Sequence, residues 1–145
     1  MVTLRPMVEA DIPAALALWQ VVEGMCLRGA DSPPALARYL RRNPGCSFVA
    51  LTAAGELAGA CLAGHDGRRG YLHHLAVSPA LRKQGTGRRL VEHCLAALKA
   101  EGIDKVNFWV TTGNADGMAF WKRVGGRERT DLVVVSIALT DDPNA

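Results

Sequence analysis

Between positions 75 and 90 the chain reads Leu75-Ala76-Val77-Ser78-Pro79-Ala80-Leu81-Arg82-Lys83-Gln84-Gly85-Thr86-Gly87-Arg88-Arg89-Leu90. An apolar strand runs into a short basic, glycine-bearing turn, and a helix begins beyond it. Gly85 and Gly87 leave the backbone bare enough for N–H groups to converge on an anion at the helix N-terminus. Arg82, Lys83, Arg88 and Arg89 surround that turn with positive charge. The chemistry this predicts is phosphate binding, with a diphosphate the natural ligand. A dinucleotide fingerprint needs a third glycine where Leu90 stands, and would lie after the first strand. No Gly-Lys-Ser/Thr follows, which disfavours a P-loop. On these residues alone a plain strand-to-helix turn is the alternative.

The strand feeding the turn, residues 71–77, carries two adjacent histidines. Period-two alternation puts Tyr71, His73, Leu75 and Val77 on one face and Leu72, His74 and Ala76 on the other. Cys26, Cys46, Cys61 and Cys94 are well separated, with no Cys-x-x-Cys pair and no histidine at zinc spacing. They read as buried reduced thiols, and no metal is expected.

The elements that must position these groups fit one domain. The chain has 145 residues, 49% apolar and 21% charged, which is ordinary for a soluble globular protein with a sizeable core. Net charge is +3, and a substantial share of the basic residues sits in the one turn. A nucleic-acid binder more often spreads lysines along a face and interleaves aromatics, so no nucleic acid is expected. The opening Met1-Val2-Thr3-Leu4-Arg5-Pro6 is not a signal peptide, and no run approaches the ~20 apolar residues of a membrane span. A cytoplasmic location without membrane contact is the expectation.

Residues 2–7 predict a short edge strand that tolerates Pro6. Asp11 caps the helix that follows, with Pro13 in its first turn and an apolar stripe at Ile12, Ala15, Leu16, Trp19 and Val22 or Glu23. Gly24 weakens its end, and residues 25–32 form a loop. Ser32-Pro33-Pro34 starts a second helix, stopped after Arg42 by Asn43-Pro44-Gly45. Residues 47–52 and 56–64 predict an antiparallel hairpin, the loop 65–70 leads to the histidine strand, and Pro79 bars that strand from continuing. Residues 86–100 form a helix with a stripe of Leu90, Val91, Cys94, Leu95 and Leu98. A strand at 105–111, a helix at 115–124 with Asn114 as N-cap, and a last strand at 132–139 complete the order β-α-α-β-β-β-α-β-α-β. This is a single α/β domain over residues 1–140, with 141–145 a frayed tail.

Arg82-x-x-Gly85-x-Gly87 after Leu75-Ala76-Val77-x-Pro79 resembles the acyl-CoA-binding signature of the N-acetyltransferase (GNAT) superfamily. Asn114-x-x-Gly117-x-x-Phe120-Trp121-x-x-x-Gly125 resembles that family's Asn-x-x-Ala-x-x-aromatic-aromatic-x-x-x-Gly block, and the element order covers nearly the whole chain. Asp66-Gly67-Arg68-Arg69-Gly70 followed by His74-Leu75-Ala76-Val77 is similar to the YpeA-like branch.

The resemblance implies a GNAT fold whose mixed sheet splays at the fourth and fifth strands, and acetyl-CoA as co-substrate. Main-chain groups of Leu75, Ala76 and Val77 would bind the pantetheine arm and polarise the thioester carbonyl, an oxyanion-hole effect. Amides of Arg82, Lys83, Gln84, Gly85, Thr86, Gly87 and Arg88 would hold the pyrophosphate. Asn114 would contact the pantetheine or cap its helix, and Trp121 completes the cofactor-binding set. Direct transfer to an amine needs a neutral nucleophile, so an ammonium acceptor must lose a proton. Arylalkylamine acetyltransferases, another GNAT branch, carry histidines at the positions of Tyr71 and His73. The resemblance therefore makes His73 the base or water relay, with Tyr71 and His74 as the other catalytic candidates. His74 then faces the opposite side, unless a bulge in the strand reverses the choice.

Two positions depart from the family. A Tyr that protonates the leaving thiolate often stands where Trp121 does, and an indole N–H is no useful acid. Trp109 occupies the place of a Glu base in enzymes that acetylate ribosomal proteins. The two tryptophans wall an apolar acceptor pocket or serve as core aromatics. Arg68 and Arg69 are candidates to clamp an acceptor carboxylate, or form a solvated loop. The reaction implied is acetyl transfer to a primary amine of a small molecule or amino acid. A catalytically weak acyl-CoA-binding module and a protein or peptide acetyltransferase are the alternatives, and a homodimer is suggested by analogy alone.

Overall fold

Turn residues set the strand order. Asn43-Pro44-Gly45 ends one helix, and at the next reversal Gly55 N–H donates to Thr52 O at 2.9 Å while the Thr52 hydroxyl accepts from Glu56 N–H at 3.1 Å. The computed structural model describes residues 1–22 and 25–145, which fall into two compact units, Met1–Phe108 and Trp109–Ala145.

The first unit runs β1 (Thr3–Pro6), α1 (Ile12–Val21), α2 (Pro33–Arg42), β2 (Phe48–Leu51), β3 (Leu57–His65), β4 (Gly70–Val77), α3 (Thr86–Ala100) and β5 (Val106–Asn107). Its five strands form one mixed sheet in the order β1-β2-β3-β4-β5. The first three pairings are antiparallel and β4–β5 is parallel. This is an α/β domain, as the element order predicts, with the mixed sheet that the resemblance implies. The parallel ladder covers only Gly70↔Val106 and Tyr71↔Asn107, so residues 72–77 of β4 run on beyond the end of β5. The strand predicted over 105–111 is thus cut to its first rungs.

One sheet face carries α1 and α2, with Ala15, Trp19, Leu36, Val49 and Ala60 fully buried between them. Behind the other face lies α3, whose Leu90, Val91, Cys94 and Leu98 are buried, while Leu95 of the predicted stripe is only partly covered. The Ser32 hydroxyl accepts from Ala35 N–H at 3.4 Å and caps α2, which begins at Pro33 as predicted. Asp11 behaves differently from its expected role. It stands at the N-cap of α1 but makes no cap bond, because both its oxygens are taken by Arg5, at 2.7 and 2.8 Å, and one also accepts from Val8 N–H. Glu23 and Gly24, expected at the end of the first helix, lie outside the described residues.

In the second unit the predicted short helix is α4 (Ala115–Arg123). The strand predicted over 132–139 is not formed. Leu132, Val133, Val134, Val135, Ile137 and Leu139 are all exposed and pair with no strand among the described residues. Their β-branched composition is a propensity, and a propensity without a ladder partner builds no strand.

Candidate active site

The anion site is built by the backbone at the head of α3. After β4 the chain makes a short 3-10 turn over Pro79–Leu81, then places Lys83 at φ +63° and Gly85 at φ +81°. Gly85 tolerates this left-handed geometry, for which a side chain would carry a steric cost, and it forms the N-cap of α3. The first helical bond runs from Arg89 N–H to Gly85 O at 3.0 Å. The N–H groups of Thr86, Gly87 and Arg88 therefore have no acceptor within the helix, and they sit at the positive end of its dipole. No acidic residue stands in that first turn.

The arginines around the turn are partly committed elsewhere. Arg82 Nε donates to Val77 O at 3.1 Å, Arg88 pairs with Glu92 at 2.9 Å, and Arg89 donates to Val2 O at 3.1 Å. Backbone amides, with the exposed Lys83 and Gln84 beside them, are thus the donors the turn offers. Along β4, Ala76 and Val77 pair with Ala60 and Gly59 of β3. Their other edge, with that of Leu75, lies past β5 and meets no strand among the described residues.

The two histidines do not alternate. Leu62 pairs with His73 and Ala60 with Ala76, so β4 spends one residue more than β3 over this interval. The extra residue is a bulge, and His74 carries it at φ +52°. The expectation that His74 faces the opposite side is corrected by this geometry: its ring lies 5.2 Å from that of Trp19 in α1, on the same sheet face as His73. Both imidazoles line one pocket of about 280 Å³. Leu36 and Tyr39 of α2 and Leu62 of β3 supply its apolar walls, and Arg28, Ala30 and Asp31 enter from the segment between α1 and α2.

His73 stacks nearly parallel on Tyr71, with ring centroids 6.4 Å apart, and meets the edge of Tyr39 at the same separation. Burial chiefly, and the neighbouring His74, hold its pKa below the ordinary histidine value, while Asp31 pulls the other way. His73 is therefore neutral at pH 7, the state a proton acceptor needs. The Tyr71 hydroxyl is engaged outside the pocket with Asp66 Oδ2 at 3.2 Å. Burial pushes the Tyr39 phenol well above its ordinary value, so it stays protonated.

Asp31 and Tyr39 escaped the sequence reading. Nothing local marks either one, although an Asp directly before Ser32-Pro33-Pro34 is a usual helix-entry residue that also lands at a pocket rim. Gly64 of β3 admits Tyr39: a Cβ there would lie 2.5 Å from the Tyr39 hydroxyl. Arg68 and Arg69 are not among the pocket's lining residues. Asp66 Oδ1 accepts from both their N–H groups at 2.8 Å, and the Arg69 guanidinium pairs with Asp104.

In the second unit Asn114 Oδ1 accepts from Gly117 N–H at 2.9 Å, which makes Asn114 the cap of α4. A Cβ at Gly117, where the family block has alanine, would collide with Asn114 Nδ2, so the Asn114 amide as placed here needs the glycine. Trp121 packs edge-on against Phe120 at 5.2 Å, whereas Trp109 is 56% exposed and is no core aromatic. Among the described residues no group of His, Cys, Asp and Glu side chains is placed to hold a metal ion. No helix among them is long and apolar enough to cross a membrane.

Residues 15–126 match the profile of the acetyltransferase (GNAT) family. An acetyltransferase of Sodalis glossinidius is 26% identical over 133 residues, covering 91% of this chain and 92% of the relative. The ribosomal-protein-S18-alanine N-acetyltransferase of Escherichia coli superposes with a TM-score of 0.74 at 25% identity, over 90% of this chain and 80% of that one. An aminoglycoside acetyltransferase from an uncultured soil sample, solved with sisomicin, shares the fold at a TM-score of 0.73 and 16% identity, covering 96% and 97% of the two chains.

Proposed function

The chain belongs to the acetyltransferase (GNAT) family, and from that premise we propose that it moves an acetyl group from acetyl-CoA to the primary amine of a small molecule or amino acid by direct transfer. The observation that carries this reading is the placement of a neutral His73 in a pocket on the strand that runs into the α3 cradle. One strand thus supplies the proton acceptor and leads to the diphosphate donors. The N–H groups at the head of α3 suit the pyrophosphate, and the unpaired edge of residues 75–77 suits the pantetheine amides.

In this scheme His73 takes a proton from the acceptor's ammonium. The neutral nitrogen attacks the thioester carbonyl carbon, main-chain N–H groups of β4 stabilise the oxyanion, and the C–S bond breaks as the nitrogen gives up its extra proton to water and the amide forms. With Trp121 in place of an acidic Tyr, CoA leaves as the thiolate and is protonated by water. The fully buried apolar wall around Leu36 and Leu62 favours a compact acceptor. The chemistry is that of the cytoplasm, where acetyl-CoA and reduced thiols coexist, and the 66–77 motifs favour the YpeA-like branch within the family.

Steady-state CoA release measured over a panel of amines, amino acids and peptides tests the reading. Turnover of a small amine is the expected result. Acetyl-CoA binding without turnover of any acceptor would make the protein a binding module, and turnover of peptides alone would make it a protein acetyltransferase.

A further inference from the structure

We infer that Asp31 is a positioning residue for proton transfer in this pocket: held by the Arg28 N–H, its carboxylate fixes the ring and tautomer of His74 beside His73. The inference rests on the acetyltransferase reading above, and concerns a residue outside both family motifs.

Asp31 Oδ2 accepts from Arg28 N–H at 2.9 Å, and Oδ1 lies 2.7 Å from His74 Nε2, across 43 residues of sequence. The two side chains are only 10% and 19% exposed. A carboxylate so enclosed needs partners for its oxygens, and these two contacts supply them. A carboxylate only accepts, so Nε2 of His74 carries the hydrogen. In its neutral form a ring so held keeps its lone pair on Nδ1.

Without that bond little would hold the ring in place. His74 occupies the left-handed region at a bulge, where residues other than glycine are uncommon, and its ring meets those of Trp19 and His73 only at a tilt. Its centroid lies 6.4 Å from that of His73. That separation is beyond a direct hydrogen bond between ring nitrogens and suits one bridging water. A proton taken by His73 passes through the water to Nδ1 of His74. His73 returns to its neutral form, and the imidazolium formed at His74 is paired with Asp31 until the proton reaches solvent. Nε2–H is retained throughout, so the proton count closes.

The test combines Asp31→Asn and Asp31→Glu with nitrogen NMR of the resting protein, using acetyl-CoA with glycine and 2-phenylethylamine as acceptor probes. The expected resting state has His74 protonated on Nε2, with that signal displaced in Asp31→Asn. Turnover in Asp31→Asn is expected to fall by at least about tenfold in kcat with the KM for acetyl-CoA unchanged, and Asp31→Glu to recover part of it. A His74 hydrogen on Nδ1, or wild-type kcat in Asp31→Asn, overturns the assignment. The NMR measurement needs neither a variant that folds nor an acceptor that reacts. Undiminished turnover in His73→Ala would instead overturn the choice of base, and leaves the His74 tautomer to be judged on its own signal.

Discussion

The rings of Tyr71 and His73 lie within 7° of parallel, although the Tyr71 hydroxyl is turned out to Asp66. The phenol therefore serves His73 as a surface and not as an acid. Tyr71→Phe is expected to keep kcat within a few-fold of wild type. His73→Ala is expected to lower kcat by about 10²-fold or more with acetyl-CoA affinity unchanged, as loss of a general base does. Because the folded-state pKa of His73 is depressed, activity should hold across neutral pH and fall only as the pH drops below the ordinary histidine value. Steady-state kinetics against pH, for both variants, checks this.

Gly85 isolates the backbone's share of anion binding. A Cβ at that position meets nothing within 4 Å, so Gly85→Ala introduces no clash and only the strain of φ +81°. That strain costs about 1 kcal/mol. Relaxing it rotates the amides at the head of α3, and a several-fold weaker acetyl-CoA affinity by calorimetry is expected, with pyrophosphate affected in parallel. Equal affinities in variant and wild type would remove the α3 amides from the binding site.

Arg5 and Asp11 tie β1 to the entry of α1. The Arg5 hydrogen bonds hold the Asp11 carboxyl below its ordinary value. A depressed folded pKa means stabilisation that is present above the unfolded carboxylate range and lost as the pH falls through the folded value. Since Arg5 is 42% exposed, solvent screening limits the pair to about 1 kcal/mol. Chemical denaturation should show Asp11→Asn less stable than wild type by that order at pH 7. The two curves should converge in acid.

Asn114 and Gly117 act as one unit in α4. Gly117→Ala forces the Asn114 amide aside, and loss of the cap costs about 1 kcal/mol. Asn114→Ala should cost a similar amount, and the double variant little more than either alone. Asn114→Asp keeps the accepting oxygen and should keep α4 helicity. Additive losses in the double variant would dissociate glycine from the cap.

Local signals carried much of the architecture. The bounds of α3 follow from its apolar stripe, from Gly85 before it and Gly102 after it, and β4 ends where Pro79 forbids another ladder bond. Long-range choices were not legible. The Asp31–His74 contact joins residues 43 apart, and neither neighbourhood names the other. The bulge at His74 has no composition of its own, so alternation sent that ring to the wrong face. Residues 132–139 show the converse error, where a β-branched run read as a strand stays exposed. Pairing depends on a partner, and a partner is a property of the fold and not of the segment.

The bulge amounts to a one-residue frameshift in β4. Upstream of it the odd-numbered Tyr71 and His73 point to the α1–α2 side, while downstream that side belongs to the even-numbered Ala76. Deleting His74 would restore a regular ladder, with Ala76 still opposite Ala60 and Val77 opposite Gly59. Ala76 would keep its place in the core, but the pocket would be left with His73 alone. The strand can place two neighbouring imidazoles in one pocket and still deliver its end to the cradle in register only because its count is odd by one.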